Sequence, residues 1–314
     1  MLAICTPIIL CLLLLISITL LLFRKWLPSL LVLFIALSLN CLTETFAFNL
    51  SADRNEQGHT LTILTFNMHS QGKYMDLNRD NPDEMLSLLR IQNADIILFQ
   101  EYDSVRCRAL RDSILVSHPF SHYTSKVMTY GQNAIFSKFR IEPLHQNPEY
   151  NLINSYKVVC EGDSFAIINC HLQSNNIGEK IILGGGTPSW FDKMGTYVES
   201  IGKSAKSRKR ESEFIRSIAD SCSCALLPIV VAGDMNDVGG SATVRSIEGE
   251  GERKLRDVWW QTGNGMGFTY HDYNWLYFRL DHIFCSSHFE VLDSKVIDQS
   301  FSDHEILITK LKFK

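Results

Sequence analysis

"IVVAGDMND", residues 229–237, decides the reading of this chain. Ile229, Val230, Val231 and Ala232 are the β-branched and small apolar residues of a buried strand. The run then ends in Gly233, which would let the backbone turn tightly, followed by Asp234, Asn236 and Asp237. A carboxylate beside a buried strand is costly unless a partner holds it. Asp and Asn also favour turns. The stretch therefore reads either as a plain strand end or as one wall of a site where oxygen ligands hold a cation or orient water.

Outward from this stretch the same placement recurs. Asn67 ends a strand that begins at Leu61, Glu101 ends "ADIILFQE" (94–101), and His171 ends "AIINCH" (166–171). Asp281 lies inside "RLDHIF" (279–284), and Asp303 and His304 precede "EILITKL" (305–311). Singly, Asn67 is as readable as a turn residue and His171 as a hydrogen-bonded core histidine. Together they are carboxylates, amides and imidazoles set where buried strands emerge, and the strands of one packed sheet system tend to end at a common edge. Oxygen ligands suit a hard cation such as Mg²⁺, with Mn²⁺ as a substitute. No cluster of His and Cys points to zinc. Asp237, His69, His282 and Glu305 adjoin these positions and receive no role.

The rest of the chain supplies the frame. Pro82, with acids in the first turn, starts a helix. "NAIFSKFRI" (133–141), "SYKVVCEG" (155–162) and "SFAIINCHLQS" (164–174) read as a meander of strands. Gly184–Gly186 and Pro188 mark a long loop, and a helix follows over about 192–220. Its basic run "KSAKSRKR" (203–210) reads as a solvated face beside Glu211 and Glu213, with a phosphate-binding or anionic-lipid role as the alternative. A short helix is expected over 242–249. Trp259, Trp260, Tyr270, Tyr273, Trp275 and Tyr277 form either a substrate wall or core and rim packing. Many strands, several adjacent without helices between them, predict an α+β domain with packed sheets.

The N-terminus is of another kind. Met1–Phe23 carries no charged side chain, Arg24 and Lys25 interrupt, and Trp26–Thr43 is uncharged again. The first run is long enough to span a bilayer, and the second barely so. The basic pair follows the apolar run instead of preceding it, which is unlike a signal peptide. Residues 1–50 therefore read as a membrane anchor with transmembrane helices over about 3–23 and 26–42, and 51–60 as a linker before one domain, 61–314. The positive-inside rule puts Arg24 and Lys25 in the cytoplasm and the domain on the outer, periplasmic side.

The 314 residues carry a net charge of −4, and the part after residue 44 carries −5. That balance is unlike a non-specific nucleic-acid binder. Of the nine cysteines, Cys5, Cys11 and Cys41 fall in the membrane region, and the six beyond it read as buried or free thiols in preference to a disulfide set.

The ordered set "TFNMHS", "ADIILFQE", "YGQNAIFSKFRI", "NCHLQS", "VVAGDMND", "RLDHIFCS" and "SDHEI" resembles the endonuclease/exonuclease/phosphatase superfamily, over about residues 60–314. "GNGMGFTYHDYNWLYFRLDHIF" (263–284) is similar to members that are often membrane-attached and bacterial. The resemblance implies a four-layer α/β/β/α sandwich, two packed mixed β-sheets flanked by helices, and Mg²⁺-dependent phosphoester cleavage by an in-line water. It implies Glu101 as metal ligand with Asn67 and Asp303 beside it. Asp234 and Asn236 would orient the water and phosphate, His304 paired with Asp281 would serve as base or phosphate-contacting imidazolium, and His171 would stabilise the transition state. His69 departs from the carboxylate that apurinic endonucleases carry two residues after this Asn.

The expected function is that of a membrane-anchored phosphodiesterase. Its substrate is a nucleic acid, a lipid head group or a small phosphoester, and the lipid bilayer is met through the N-terminal hairpin. The alternative is a catalytically silent, membrane-tethered binding protein that keeps the fold.

Overall fold

The computed structural model describes residues 2–49, 57–69, 82–104, 107–117, 122–125, 133–145, 147–160, 162–174, 190–273 and 276–314. Trp275 and the 184–188 loop lie outside them, as does most of the 51–60 segment.

Two six-stranded mixed sheets carry the domain. The first runs β13 (Phe289–Ile297), β14 (Ile306–Phe313), β1 (Thr60–Asn67), β2 (Ile96–Gln100), β4 (Ala134–Ser137), β3 (His122–Ser125). The second runs β5 (Arg140–Pro143), β6 (Ile153–Cys160), β7 (Asp163–His171), β8 (Ile229–Asp234), β12 (Asp281–Cys285), β9 (Arg256–Asp257). Each sheet has one parallel pair at its centre, β1/β2 and β7/β8, and its other neighbours are antiparallel. A separate hairpin, β10 (Tyr270–Tyr273) with β11 (Leu276–Phe278), lies beside them.

Alternation along the strands builds the layers. Ile63, Ile96 and Leu98 face Ile167, Val230, Ala232 and Ile283 between the sheets. Leu64, Phe66, Ile97 and Phe99 face outward against Met85 and Leu89 of α3 (Pro82–Gln92) and Leu110 and Ile114 of α4 (Arg108–Ser117). Ile168 and Val231 face the other way, against Ile215 and Ala219 of α5 (Trp190–Cys224) and Val244 and Ile247 of α6 (Ala242–Glu248). The expected α/β/β/α sandwich is thus present. Trp259, on the short α7 (Val258–Thr262), is buried in the inter-sheet core and lines no wall.

Three expectations need correction. "NAIFSKFRI" is not part of one meander: Ala134–Ser137 lies in the first sheet between β2 and β3, and Arg140–Pro143 is an edge strand of the second, so the chain changes sheets at Lys138–Phe139. The α5 basic run is not wholly solvated. Lys203, Lys206, Lys209 and Arg210 are exposed, but Arg208 is only 1% exposed. Its Nε lies 3.4 Å from Asp237 Oδ2, and its guanidinium donates to the Gln173 carbonyl at 2.9 Å. The physical reason is helical phase. Ser204, Arg208, Ser212, Ile215, Ala219 and Cys222 form one buried stripe. Gly233, finally, does not serve a turn. It is the penultimate residue of β8, with φ +140°, and a Cβ there would lie 1.9 Å from the Cys170 carbonyl oxygen on β7.

Two N-terminal helices, α1 (Leu2–Leu22) and α2 (Trp26–Thr43), pair as a hairpin and are long and apolar enough to cross a membrane. Ser17 and Ser29 exchange hydroxyl-to-carbonyl hydrogen bonds of 2.8 and 3.0 Å across the pair. Most of the large side chains around both helices are exposed, Leu12, Leu15, Leu30 and Phe34 among them. All nine cysteines are free thiols, and Cys107, Cys160, Cys170, Cys222 and Cys285 are buried.

Candidate active site

The two central parallel pairs place the site. β1 and β2 run the same way, so Asn67 and Glu101 emerge together, and β7 and β8 bring out His171 beside Asp234. β12 runs antiparallel to β8 in the register Asp281↔Asp234, so a residue that opens its strand meets one that closes its own. Beneath this edge a buried polar ladder ties the sheets together. Gln100 Nε2 donates to Asn169 Oδ1 at 2.7 Å and to Thr65 Oγ1 at 3.0 Å, and Asn169 Nδ2 donates to the Phe99 and Ala134 carbonyls at 3.1 and 3.0 Å.

All eight expected residues converge. Asn67 Nδ2 donates to Glu101 Oε1 at 3.2 Å within its own sheet and to Asp234 Oδ2 at 3.0 Å across the sandwich. Asp234 also accepts from the Asn236 backbone N–H at 2.8 Å and side-chain amide at 3.1 Å. Asn236 reaches this position with φ 50°, held by a second bond from its amide to the Leu172 carbonyl at 2.9 Å. His171 Nε2 stands 3.7 Å from both Glu101 Oε1 and Asp234 Oδ2. His304 Nδ1 donates to Asp281 Oδ2 at 2.8 Å, and its Nε2 faces Asp234 Oδ2 at 3.7 Å. Asp303 closes the group beside Ser302, whose hydroxyl donates to the Asn67 carbonyl at 2.8 Å.

One neighbour given no role belongs to the constellation. His69 Nδ1 lies 3.4 Å from Asp303 Oδ1 and 3.7 Å from Glu101 Oε2. The position two after Asn67 was the available signal, since the carboxylate expected there by analogy had become an imidazole. Asp237 is a scaffold residue, accepting from Thr243 Oγ1 at 2.7 Å and facing Arg208. His282 is fully buried and bonded to Asp257, and Glu305 pairs with His271 at 2.7 Å. Tyr270 packs its ring 4.9 Å from that of His304, while Tyr277 is largely exposed.

Neighbouring charges shift the site's groups in different directions. Burial alone would depress the His304 imidazole, but Asp281 and Asp234 outweigh it and push its pKa up to about 10. Burial raises the Asp234 carboxyl, with Asp281 adding to the rise against the opposing pull of His304 and His171. Burial also works to raise Glu101, yet His171, His69 and the Asn67 amide together hold it below its usual value.

The donor set fits a hard divalent cation. Glu101 and Asp303 are oxygen donors on one side, with Asn67 beside them, its Oδ1 accepting from the His69 N–H at 3.0 Å. On the other, Asp234, Asp281 and His304 offer ligand atoms within 4.8 Å of one another. Among the described residues, Asp281 Oδ1 and both ring nitrogens of His171 are buried without a hydrogen-bond partner, which leaves them available to a further polar or charged group.

Comparison with known proteins agrees with this geometry. The sequence profile described as the Endonuclease/Exonuclease/phosphatase family matches residues 64–304. A humanized D. rerio TDP2 superposes with a TM-score of 0.57 at 17% identity, covering 81% of this chain and 99% of its own. Endonuclease/exonuclease/phosphatase proteins from Bacteroides thetaiotaomicron and Bacteroides vulgatus give TM-scores of 0.56 and 0.58 at 16% and 15% identity. Each covers 82% of this chain, and 99% and 100% of its own. No curated protein shows significant similarity. The chain belongs to the endonuclease/exonuclease/phosphatase family and is a metal-dependent hydrolase of ester bonds.

Proposed function

We propose that this chain is a membrane-anchored, Mg²⁺-dependent phosphodiesterase, with Mn²⁺ able to replace Mg²⁺. The observation that carries the reading is the Asp281–His304–Asp234 line of contacts at 2.8 and 3.7 Å beside Glu101 and Asn67. A divalent cation held by Glu101 and Asp303, with Asn67, would neutralise charge on the phosphoryl oxygens and acidify bound water.

The chain's own groups then have defined tasks. Asp281 and Asp234 push the His304 pKa up to about 10, which favours its imidazolium form and disfavours it as the base. It is suited to hold a phosphoryl oxygen or to protonate the departing alkoxide. Asp234 is the better base, since its carboxyl is raised and its oxygens are aimed by Asn67 and Asn236. His171, whose ring nitrogens make no hydrogen bond and whose Nε2 faces Glu101 and Asp234 at 3.7 Å, is suited to the charge that develops on the equatorial oxygens. Asn236 would orient water and phosphate.

The substrate is a phosphoester in a nucleic acid, a lipid head group or a small molecule. D. rerio TDP2 has been solved with a single strand DNA product, and the net charge of −4 opposes general nucleic-acid binding. Arg24 and Lys25 in the hairpin turn support a domain on the outer side of the membrane. The test is a panel assay of the full chain in detergent with a chromogenic diester, single-stranded DNA, RNA and sphingomyelin, with Mg²⁺ and with chelator. Chelator-sensitive hydrolysis of at least one, abolished by Asp234→Asn, is expected. Turnover that survives chelation overturns the metal mechanism, and no turnover with no Mg²⁺ binding favours a tethered binding protein.

A further inference from the structure

The end of the membrane hairpin is joined to the edge of the sandwich that carries the active site. Glu44, the residue after α2, gives its carbonyl to Arg279 Nη2 at 3.1 Å. Arg279 is only two residues of chain from Asp281, at most about 7 Å. Its other amino group binds Asp257 Oδ2 at 2.5 Å. The Leu42 carbonyl accepts from Arg245 at 3.0 Å. Ala47 pairs with Gly265 in a β-bridge, and the Asn49 side chain donates to the Gly263 carbonyl at 2.7 Å. Gly239 and Gly240, in the loop that follows Asn236, allow the approach, because a Cβ on Gly240 would lie 2.5 Å from the Thr43 Cα. The first helix joins in, with Pro7 lining a cleft shared with Glu44, Met266, Phe268, Phe278 and Arg279.

Depth follows from length. The 18 residues of α2 rise about 27 Å, close to the roughly 30 Å of a hydrocarbon core. Glu44 therefore enters the interfacial layer, which adds about 5–8 Å on each side. Lipid phosphates occupy that layer, and Asp281 is within two residues of a contact made there. Phe46 and Phe48, 42% and 77% exposed, follow the helix at the same level, as interfacial aromatics do.

A second observation comes from α5. Ser204, Arg208 and Glu211 bind the Ser174 carbonyl, the Gln173 carbonyl and the Gln173 N–H, at 2.9 Å each. Those partners lie two and three residues beyond His171, so this part of α5 borders the active-site edge. Lys203, Lys206, Lys209 and Arg210 are exposed there, with Lys209 3.8 Å from the exposed Glu213, a net cationic border suited to an anionic lipid surface.

We infer that the substrate is a phosphodiester in the head group of a lipid in the same membrane, presented to an active site that the docked hairpin end holds in the head-group layer. This rests on the phosphodiesterase reading above. In the step, a water oxygen bonds to phosphorus, one ester P–O bond breaks, and its oxygen takes up a proton, leaving an alcohol and a phosphomonoester.

The test uses the full chain in nanodiscs with Mg²⁺. Fluorescent sphingomyelin, phosphatidylcholine and phosphatidylglycerol are supplied in the same disc, and bis(4-nitrophenyl) phosphate and single-stranded DNA in solution. A photoactivatable phosphatidylcholine in the disc reports, by mass spectrometry, which peptides touch lipid. The expected result is hydrolysis of at least one lipid at a rate set by its mole fraction in the disc, with labelling at Phe46–Phe48 and Lys203–Arg210. Lys206→Glu/Lys209→Glu/Arg210→Glu should leave the soluble diester rate unchanged and lower lipid hydrolysis in anionic discs by about tenfold. Turnover of the soluble diester without any lipid hydrolysis, or a higher kcat/KM for DNA than for lipid, overturns the inference and leaves the phosphodiesterase reading standing. No turnover of any substrate defeats both. Absence of labelling at both segments overturns the placement whatever the activity.

Discussion

Replacing Asp281 with Asn tests the acid role of His304 directly. The carboxylate is fully buried, and its Oδ2 lies 2.8 Å from His304 Nδ1. The rise of the imidazole from the ordinary 6.5 to about 10 corresponds to about 5 kcal/mol of preference for the charged form. Burial opposes that rise, so the neighbouring carboxylates supply more than the net, with Asp281 the strongest and Asp234 at 3.7 Å the next. Asn keeps the volume and a hydrogen-bonding oxygen but removes the charge. The His304 pKa should then fall by about 2 units or more, and turnover of a soluble diester at pH 8 by about 10²–10⁴. The assay pairs a pH–rate profile from pH 5 to 10 with an NMR titration of the metal-free protein, the His304 resonance being identified by His304→Ala. The linkage has a defined sign. A raised folded-state pKa contributes stability that is complete below about 6.5 and is lost as pH rises through about 10. The metal-free wild type should therefore weaken across that window, and Asp281→Asn should weaken less. A His304 that still titrates above 9 in the variant, or a rate within threefold of wild type, would refute the reasoning.

Other perturbations separate cradle, scaffold and close approach. Glu101→Gln should weaken Mg²⁺ binding at least about tenfold by calorimetry, whereas unchanged affinity would move the cation to Asp234, Asp281 and His304. Arg208→Met leaves the Asp237 carboxylate without its buried partner and should lower unfolding free energy by about 3–5 kcal/mol in urea; an unshifted midpoint would show the pair to be idle. Gly162 and Gly233 both have positive φ, but only Gly233 has backbone within 4 Å of a Cβ. Gly233→Ala should therefore cost at least about 2 kcal/mol more than Gly162→Ala, and equal losses would mean that strain alone explains the glycine.

The strand-end residues were legible because each breaks a local pattern. Asn67, Glu101, His171 and Asp234 follow runs of buried apolar residues, where a polar group demands a reason. Long-range pairings were not legible. Arg208 stood within a basic run that matched a solvated face, and its partner Asp237 is 29 residues away. The helical stripe from Ser204 to Cys222 held the signal, since its phase turns Arg208 inward with Ile215 and Ala219. The split of Ala134–Ser137 from Arg140–Pro143 was hidden because a chain that changes sheets keeps the alternation of a single hairpin. The docking of Thr43–Asn49 was hidden because most of its bonds run through backbone carbonyls, which carry no residue signature.

Convergence itself rests on residues that no strand-end pattern singles out. Parallel pairing brings Asn67 to Glu101 and His171 to Asp234, but it leaves the two pairs on separate sheets. Gln100 and Asn169 join them, one residue before Glu101 and two before His171, each buried where an unpaired amide would be costly. With Asn67 also bridging Glu101 and Asp234, the sheets cannot slide along one another without breaking amide bonds in a dry interior. The distances of 3.7 Å from His171 to both carboxylates are thus a consequence of the sandwich, and the chemistry at the edge depends on the polar ladder beneath it.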